Sequence, residues 1–358
     1  MPSLSEAIIA AAGGGKTTRI VQQALKNSAE RCAMVTYTQN NTEETERKLY
    51  ELNTSVPPHI EVRSWYSFLL RELARPYQNF MHPKRIDGMS WVQGRSVPYV
   101  PKASIGRFYF ANGQYIYSDK VSHFICECNK ASSGAIIRRL EQRFDRIYID
   151  EIQDLAGYDL ELIELILRSK VKLTLVGDHR QSTFRTNNGA KNKAYYGFNI
   201  IDKLKEWEKA GLCTLSYQVE THRCNQPIAD LADAFFPTEP VTISRNKTVT
   251  GHDGVFLVSS SLVKQYVAEF RPQALRLDKR TDCADLDAKN FGDSKGLTFE
   301  RVLIFPHKLG QSWLETGDFT HVEGSSSKLY VGVTRARYSV AFVYDDETLV
   351  KGIQRYVK

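Results

Sequence analysis

Two hydrophobic periodicities alternate along the chain. Residues 6–12 (EAIIAAA) form a short apolar run closed by glycines, and TTRIVQQALK follows with apolar positions at helical spacing. Residues 33–38 (AMVTYT), 146–149 (RIYI) and 171–176 (VKLTLV) are further runs of strand length, each bounded by polar residues. Between the last two, 159–168 (DLELIELILR) again has helical spacing. Strands alternating with helices imply a parallel sheet covered on both faces. A second series follows, with strands expected at 213–219 (CTLSYQV), 255–258 (VFLV), 301–305 (RVLIF) and 339–344 (SVAFVY). Residues 71–140 break the pattern: they are rich in Tyr, Phe, Arg and Lys, lack clean periodicity, and read as an insertion. The polar, turn-rich stretch 185–200 suits a connection between two sheets. The expected fold class is α/β, in two lobes with parallel sheets, the first carrying an insertion.

Composition narrows the class without naming a chemistry. A chain of 358 residues suits two domains. With 42% hydrophobic and 25% charged residues it is not a mostly disordered chain. No apolar run is long enough to span a bilayer, and no secretory segment follows Met1. A cytoplasmic location without a membrane partner is therefore expected, with the six cysteines as reduced thiols. The formal charge of +7 favours a polyanionic partner, though only mildly.

Residues 10–17 read AAAGGGKT, between an expected strand and an expected helix. A glycine-rich loop in that position exposes backbone N–H groups that cradle phosphate, and the helix N-terminus adds a favourable dipole. The candidate nucleotide-binding residues are Ala10, Ala11, Ala12, Gly13, Gly14, Gly15, Lys16, Thr17 and Thr18. Lys16 would contact the β- and γ-phosphates of ATP, and the Thr17 hydroxyl would bind Mg²⁺. The bland alternative is a glycine-rich turn in a strand–helix unit. Residues 147–154 (IYIDEIQD) supply the second element such a loop requires. An apolar strand delivers Asp150 to the metal, and Glu151 is placed to polarise the attacking water. Taken alone, the same acids also suit a helix N-terminus.

Further motifs make the reading specific. TYTQNN at 36–41, SWYS at 64–67, GDHRQSTF at 177–184, THRCNQPIADLA at 221–232, SKGLTFERV at 294–302 and YVGVTRAR at 330–337 follow in order. With AAAGGGKT and DEIQD, they resemble the motif series of superfamily 1 DNA helicases of the UvrD/Rep type, from residue 10 to 337. The resemblance implies two RecA-like P-loop lobes: 1–70 with 141–188 as the first, 71–140 as a reduced insertion, and 189–358 as the second. It implies ATP with Mg²⁺ in a cleft, Glu151 and Gln181 as catalytic and γ-phosphate-sensing residues, and Arg223 and Arg335 as arginine fingers. Such a finger is worth ~10³–10⁵ in rate. His222 falls where the family stacks an aromatic on adenine. Tyr37, Thr38, Asn40, Trp65, Tyr66 and Phe184 fall at positions lining the single-strand track. The aromatics among them also suit an ordinary core, and Arg337 suits a pair with an acid of its own lobe.

The departures from the family pattern carry expectations too. Only Met1 to Ile9 precede Ala10, where the family places an adenine-reading glutamine upstream, so relaxed base specificity is expected. Thr186 stands where a second aromatic is usual, as do Gly292 for His and Thr298 for Glu. Between Asp230 and Phe291 there is room for little beyond lobe framework, so the second-lobe insertion is expected to be absent or vestigial. Compact UvrD-like proteins of this kind occur beside nucleases in bacterial anti-phage systems such as Gabija, which implies a protein partner and antiviral defence.

The functional expectation is a DNA translocase or helicase, an ATPase stimulated by single-stranded or tailed DNA, and the resemblance alone implies movement 3′ to 5′. The alternatives are a DNA-end- or partner-gated ATPase switch and, from another class, a small-molecule kinase. Two constellations lie outside this picture. His123, Cys126 and Cys128 are close in sequence but lack a second ligand pair, so isolated thiols are expected. Arg71, Arg75, Lys84, Arg85, Trp91, Arg95 and Arg107 suit a nucleic-acid surface as well as they suit a small core with a solvated rim.

Overall fold

The computed structural model describes residues 5–186 and 189–357. The chain divides into two compact units. The first is Met1–Ile9, Lys16–His179 and Phe184–Tyr217; the second is Ala10–Gly15, Arg180–Thr183 and Gln218–Lys358.

The first unit runs β1 (Ser5–Ala10), α1 (Lys16–Lys26), β2 (Cys32–Thr36), α2 (Gln39–Asn53), β3 (Ile60–Ser64) and α3 (Trp65–Phe68). It continues through β4 (Gly88–Ser90), α4 (Ile105–Phe108), β5 (Phe110–Ala111), β6 (Tyr115–Tyr117), α5 (Val121–Ala131) and α6 (Ala135–Arg143). It closes with β7 (Arg146–Ile149), α7 (Tyr158–Leu167), β8 (Lys172–Gly177), α8 (Ile200–Lys209) and β9 (Cys213–Gln218). The main sheet has the order β3-β2-β7-β8-β1-β9, and the neighbours from β3 to β1 pair in parallel. Ile149 lies opposite both Val35 and Leu175, and Ile9 opposite Gly177. The carboxyl ends of β1, β7 and β8 therefore share one edge, the edge where open α/β sheets take ligands.

Strand alternation sorts the side chains onto two covered faces. Ile8, Met34, Tyr148 and Val176 pack with Ile20, Val21 and Ala24 of α1 and Leu49 of α2. On the other face Ala7, Ile9, Val35, Ile147, Ile149 and Leu175 pack with Leu160 and Ile163 of α7 and Trp207 of α8. Each fully buried Leu, Ile or Val contributes roughly 1.5–3 kcal/mol. The inserted segment forms a small sheet, β4-β6-β5. Its Phe108, Tyr109, Phe110 and Ile116, with Phe124 and Ile125 of α5, belong to that same second core. The insertion is thus built onto the lobe, its apolar side chains continuous with the lobe's core.

The second unit runs β10 (Glu220–Thr221), α9 (Gln226–Ala234), β11 (Ile243–Ser244), β12 (Gly254–Val258), α10 (Val263–Phe270), β13 (Gln273–Arg276) and β14 (Lys289–Asn290). It ends with β15 (Phe299–Phe305), α11 (Lys308–Thr316), α12 (Ser326–Val333), β16 (Ala336–Val343) and β17 (Ile353–Arg355). Its sheet, β14-β13-β15-β16-β12-β17, is parallel throughout. Between Asp230 and Phe291 the described residues form sheet framework with its covering helix α10.

Two expectations are corrected. The strand expected at 213–219 to open the second series is β9, which pairs in the first sheet. Likewise 184–217, placed from residue 189 onward in the second lobe, belongs to the first unit. The reason is burial: Ile200, Ile201, Leu204 and Trp207 form one apolar stripe on α8, and with Cys213 they enter the first unit's core. Conversely, 10–15 and 180–183, expected in the first lobe, group with the second unit.

Candidate nucleotide and strand sites

The glycine-rich loop Ala10–Gly15 is held by backbone and by specific side chains of the second unit. Ala11 N–H donates to the Gln218 carbonyl at 2.9 Å, and Gly14 N–H to the Ala11 carbonyl at 2.9 Å. The Thr221 hydroxyl donates to the Ala12 carbonyl at 2.6 Å, and Ala12 N–H to the Tyr330 hydroxyl at 3.3 Å. Gln218 Nε2 donates to the Gly14 carbonyl, and His222 N–H to the Gly13 carbonyl at 3.0 Å. Gly13 has a φ of +75° and could carry no side chain, because a Cβ there would lie 2.5 Å from the Cβ of Arg223. The His222 side chain is exposed beside this loop.

In the first unit, the residue after Gly15 opens α1: Lys16, then Thr17 and Thr18, all half-buried. The Thr17 hydroxyl donates to Asp150 Oδ2 at 3.0 Å. Asp150 ends β7 and is 4% exposed. Burial raises its carboxyl above the ordinary range, and the neighbouring Glu151 charge pushes the same way against the pull of Lys16. A buried carboxylate next to a hydroxyl is a hard-oxygen donor set that fits Mg²⁺. Glu151 sits in the left-handed region at φ 57°, a conformation that costs a non-glycine residue on the order of 1 kcal/mol. Gln153 secures it: its Nε2 donates to Glu151 Oε2 while its Oε1 accepts from Asp178 N–H at 3.1 Å. A Cβ at Gly177 would collide with that same amide oxygen, so glycine is required there.

The arginines expected to act on the triphosphate are both tethered within the second unit. Arg335, 1% exposed, donates from Nε to the Val331 carbonyl at 3.0 Å, from Nη1 to the Leu297 carbonyl at 3.2 Å and from Nη2 to Gln181 Oε1 at 2.9 Å. Together with the Thr334 hydroxyl at 3.4 Å, these acceptors orient the guanidinium. Arg223 is half-buried and donates to the Thr334 carbonyl at 3.1 Å. Arg337 is exposed over the Tyr338 ring, 5.5 Å from its centroid, with no carboxylate partner among the described residues. The acid partner considered for it is thus not found there.

The strand-track residues separate. Phe184 is exposed, as is Asn40 in the first turn of α2. Thr38 caps that helix, its hydroxyl accepting from Asn41 N–H at 3.2 Å. Tyr37 is half-buried with its ring 6.3 Å from that of Tyr66. Tyr66 is 8% exposed and donates its hydroxyl to the Thr186 carbonyl at 3.3 Å. Trp65 is a correction: it lies in the first unit's core at 1% exposure and donates Nε1–H to Asp159 at 3.3 Å, so it has no face for a base. Thr186, standing where an aromatic was expected, ties its loop down by accepting from Ala156 N–H at 2.9 Å.

Several residues that hold the site were not singled out from sequence. Gln153 and Tyr330 lie inside motifs already quoted, but only their bonds reveal their tasks. Arg180 pairs with Asp233 at 3.0 Å and lies over the Tyr330 ring at 4.7 Å, bracing the residue that anchors Ala12. Cys126 and Cys128 are buried on α5, and burial raises both thiols to about 12, leaving them protonated and poor metal ligands.

Comparisons place this geometry. Residues 72–199 match the family described as the UvrD/REP helicase N-terminal domain. Over 103 residues the chain is 29% identical to a "Probable DNA helicase II homolog" of Mycoplasma pneumoniae, a match spanning 29% of this chain and 13% of that protein. The fold is similar to Arterivirus nonstructural protein 10, a helicase, with a TM-score of 0.50 and 13% identity over 95% of this chain and 59% of that one. It is also similar to the same viral helicase in complex with DNA, with a TM-score of 0.51 and 15% identity over 97% and 62% of the two chains. The chain spans less than two thirds of the length of each of these proteins. The two parallel-sheet lobes are RecA-like in this sense, a likeness of fold.

Proposed function

We propose that this protein is a UvrD/Rep-type, ATP-hydrolysing DNA helicase or translocase, stimulated by single-stranded DNA and moving 3′ to 5′, as the family match over residues 72–199 supports. The observation that carries the reading is the gathering, within one unit, of the phosphate loop Ala10–Gly15 with Gln181, Arg223 and Arg335. A glycine-rich loop alone suits many phosphate binders. A buried arginine aimed at a glutamine by the Val331 and Leu297 carbonyls suits an enzyme that must register a γ-phosphate and its loss.

In this reading the loop N–H groups and Lys16 bind the phosphates, and His222 flanks the base. Thr17 and Asp150 would hold Mg²⁺, which when bound offsets phosphate charge. Glu151, fixed by Gln153, orients water and receives its proton. Arg223 and Arg335 stabilise charge on the transferring phosphoryl group. Tyr37, Tyr66 and Phe184 belong to the strand track, with Thr38 and Asn40 at its backbone. The small insertion and the plain second-lobe framework favour a motor that works with a partner, such as a nuclease, on tailed DNA. They also favour the second reading, a DNA-gated ATPase switch without processive unwinding.

The test is ATP hydrolysis with and without single-stranded DNA, beside strand displacement on tailed duplex, with Lys16→Ala as control. Stimulated hydrolysis that the substitution abolishes is the expected result. Hydrolysis indifferent to DNA would remove the motor and the switch together, and stimulation without displacement would select the switch.

A further inference from the structure

The first unit holds a cavity of about 620 Å³ beside the inserted segment, lined by none of the residues assigned above to the triphosphate or the strand. Its rim carries Arg95, Lys102, Lys120 and Lys191. Lys191 pairs with Glu161 at 3.1 Å, and Lys120 approaches Asp119 at 3.8 Å. Arg95 and Lys102 are exposed and have no carboxylate partner among the described residues. Among the described residues Asp119 is the one acid of the lining. Its carboxylate accepts from Ser96 N–H at 3.0 Å and from the Ser96 hydroxyl at 2.6 Å, which pins the loop that presents Arg95.

The lining also includes apolar and aromatic groups, among them Phe108, Tyr158, Pro98 and Pro101. Tyr158 stacks on His123 with centroids 3.8 Å apart, and the Lys120 ammonium lies 4.2 Å over the Phe108 ring. Burial first, then the charge of Lys102, lowers His123 to about 4, so this part of the lining is neutral at ordinary pH. Burial also lowers Lys120; Asp119 opposes that, while Arg95 and Lys102 add to it. The field at the mouth is therefore positive. An apolar ligand would leave two exposed cations unused, and a bare phosphate would leave the aromatic groups unused. Cavities of roughly 300–1,000 Å³ are the usual size for small-molecule ligands.

We propose that this cavity binds a nucleoside monophosphate unit, its base against Tyr158 and Phe108 and its phosphate at Arg95 and Lys102. The unit comes either as a free nucleotide or as a nucleotide turned out of a DNA strand. Only the second source rests on the helicase reading, because a free nucleotide would bind whether or not the protein moves on DNA.

The experiment uses the full chain with its triphosphate site saturated by a non-hydrolysable ATP analogue and Mg²⁺. One arm titrates deoxyadenosine monophosphate by calorimetry, with deoxyadenosine as the phosphate-free control. The other arm photo-crosslinks an oligothymidine carrying 5-iodo-deoxyuridine and maps the attached peptide. Each arm is repeated on the double variant Arg95→Glu, Lys102→Glu, whose basal ATP hydrolysis is expected to match the native protein. Monophosphate binding that the variant weakens on the order of tenfold to a hundredfold supports the free-nucleotide source. A variant-sensitive crosslink between residues 95 and 123 or at Tyr158 supports the strand source. Neither signal, or signals the variant leaves unchanged, overturns the proposal. Loss of hydrolysis in Lys16→Ala with these signals intact would separate this site from the triphosphate site.

Discussion

Arg335 donates from Nη2 to the side-chain oxygen of Gln181 at 2.9 Å, and both residues are almost wholly buried. The donor comes from the turn after α12 and the acceptor from the turn after β8, far apart in sequence. A γ-phosphate would compete for the same donor, which makes this contact a natural sensor of nucleotide state in the proposed cycle. Arg335→Ala is expected to lower ATP hydrolysis by ~10³ or more. Arg335→Lys should recover little, because an ammonium cannot hold three acceptors in the guanidinium plane. Single-turnover hydrolysis with equilibrium nucleotide binding checks this, and near-native rates in both variants would count against the assigned role.

Gly177→Ala places a methyl against Gln153 and Ile152. Overpacking of this kind typically costs about 1–3 kcal/mol, and here it also displaces the amide that secures Glu151. The expected outcome is a hydrolysis rate reduced at least about tenfold with nucleotide affinity largely kept. Equal losses in both would point to general misfolding.

Phe184 and Trp65 should part company on substitution. Phe184 is 41% exposed, so Phe184→Ala should leave thermal stability unchanged and weaken single-stranded DNA by roughly 1–3 kcal/mol, the worth of one base stack. Trp65 is 1% exposed in the core, so Trp65→Ala should cost about 3–5 kcal/mol of stability instead. Denaturant unfolding and strand-binding titrations on the two variants separate the cases.

Acid should loosen α7 from α8. Burial raises the Glu164 carboxyl, but hydrogen bonds from Arg168, Trp207 and Lys203 outweigh it and bring the group to about 2 from the ordinary 4.5. A carboxyl lowered on folding stabilises the fold above its unfolded value and loses that contribution as pH falls from 4.5 toward 2. Glu164→Gln should flatten the unfolding midpoint across that window and lower it at neutral pH. An unchanged slope in the variant would remove Glu164 as the source.

Much of the architecture was legible because strands and helices leave local signatures. The strand read at 146–149 is β7 to the residue, and the helix read at 159–168 is α7 shifted by one. The strands at 255–258, 301–305 and 339–344 are β12, β15 and β16 within a few residues. What misled was allegiance. The patterns of α8 and β9 are plain in sequence, but nothing local says which sheet they join. For the aromatics, SWYS has the same letters whether its tryptophan faces a strand or a core.

The order of residues alone determined the element types, the glycine-rich turn between β1 and α1 and the acids that follow β7, since backbone geometry and periodic burial are short-range consequences of residue type. Only the tertiary structure decided that Trp65 is core, that Gln153 and Tyr330 hold the site, and that Arg95 and Lys102 share the mouth of one cavity. Those facts depend on which distant segments meet, and a meeting is fixed by the packing of the whole core rather than by any stretch of the chain.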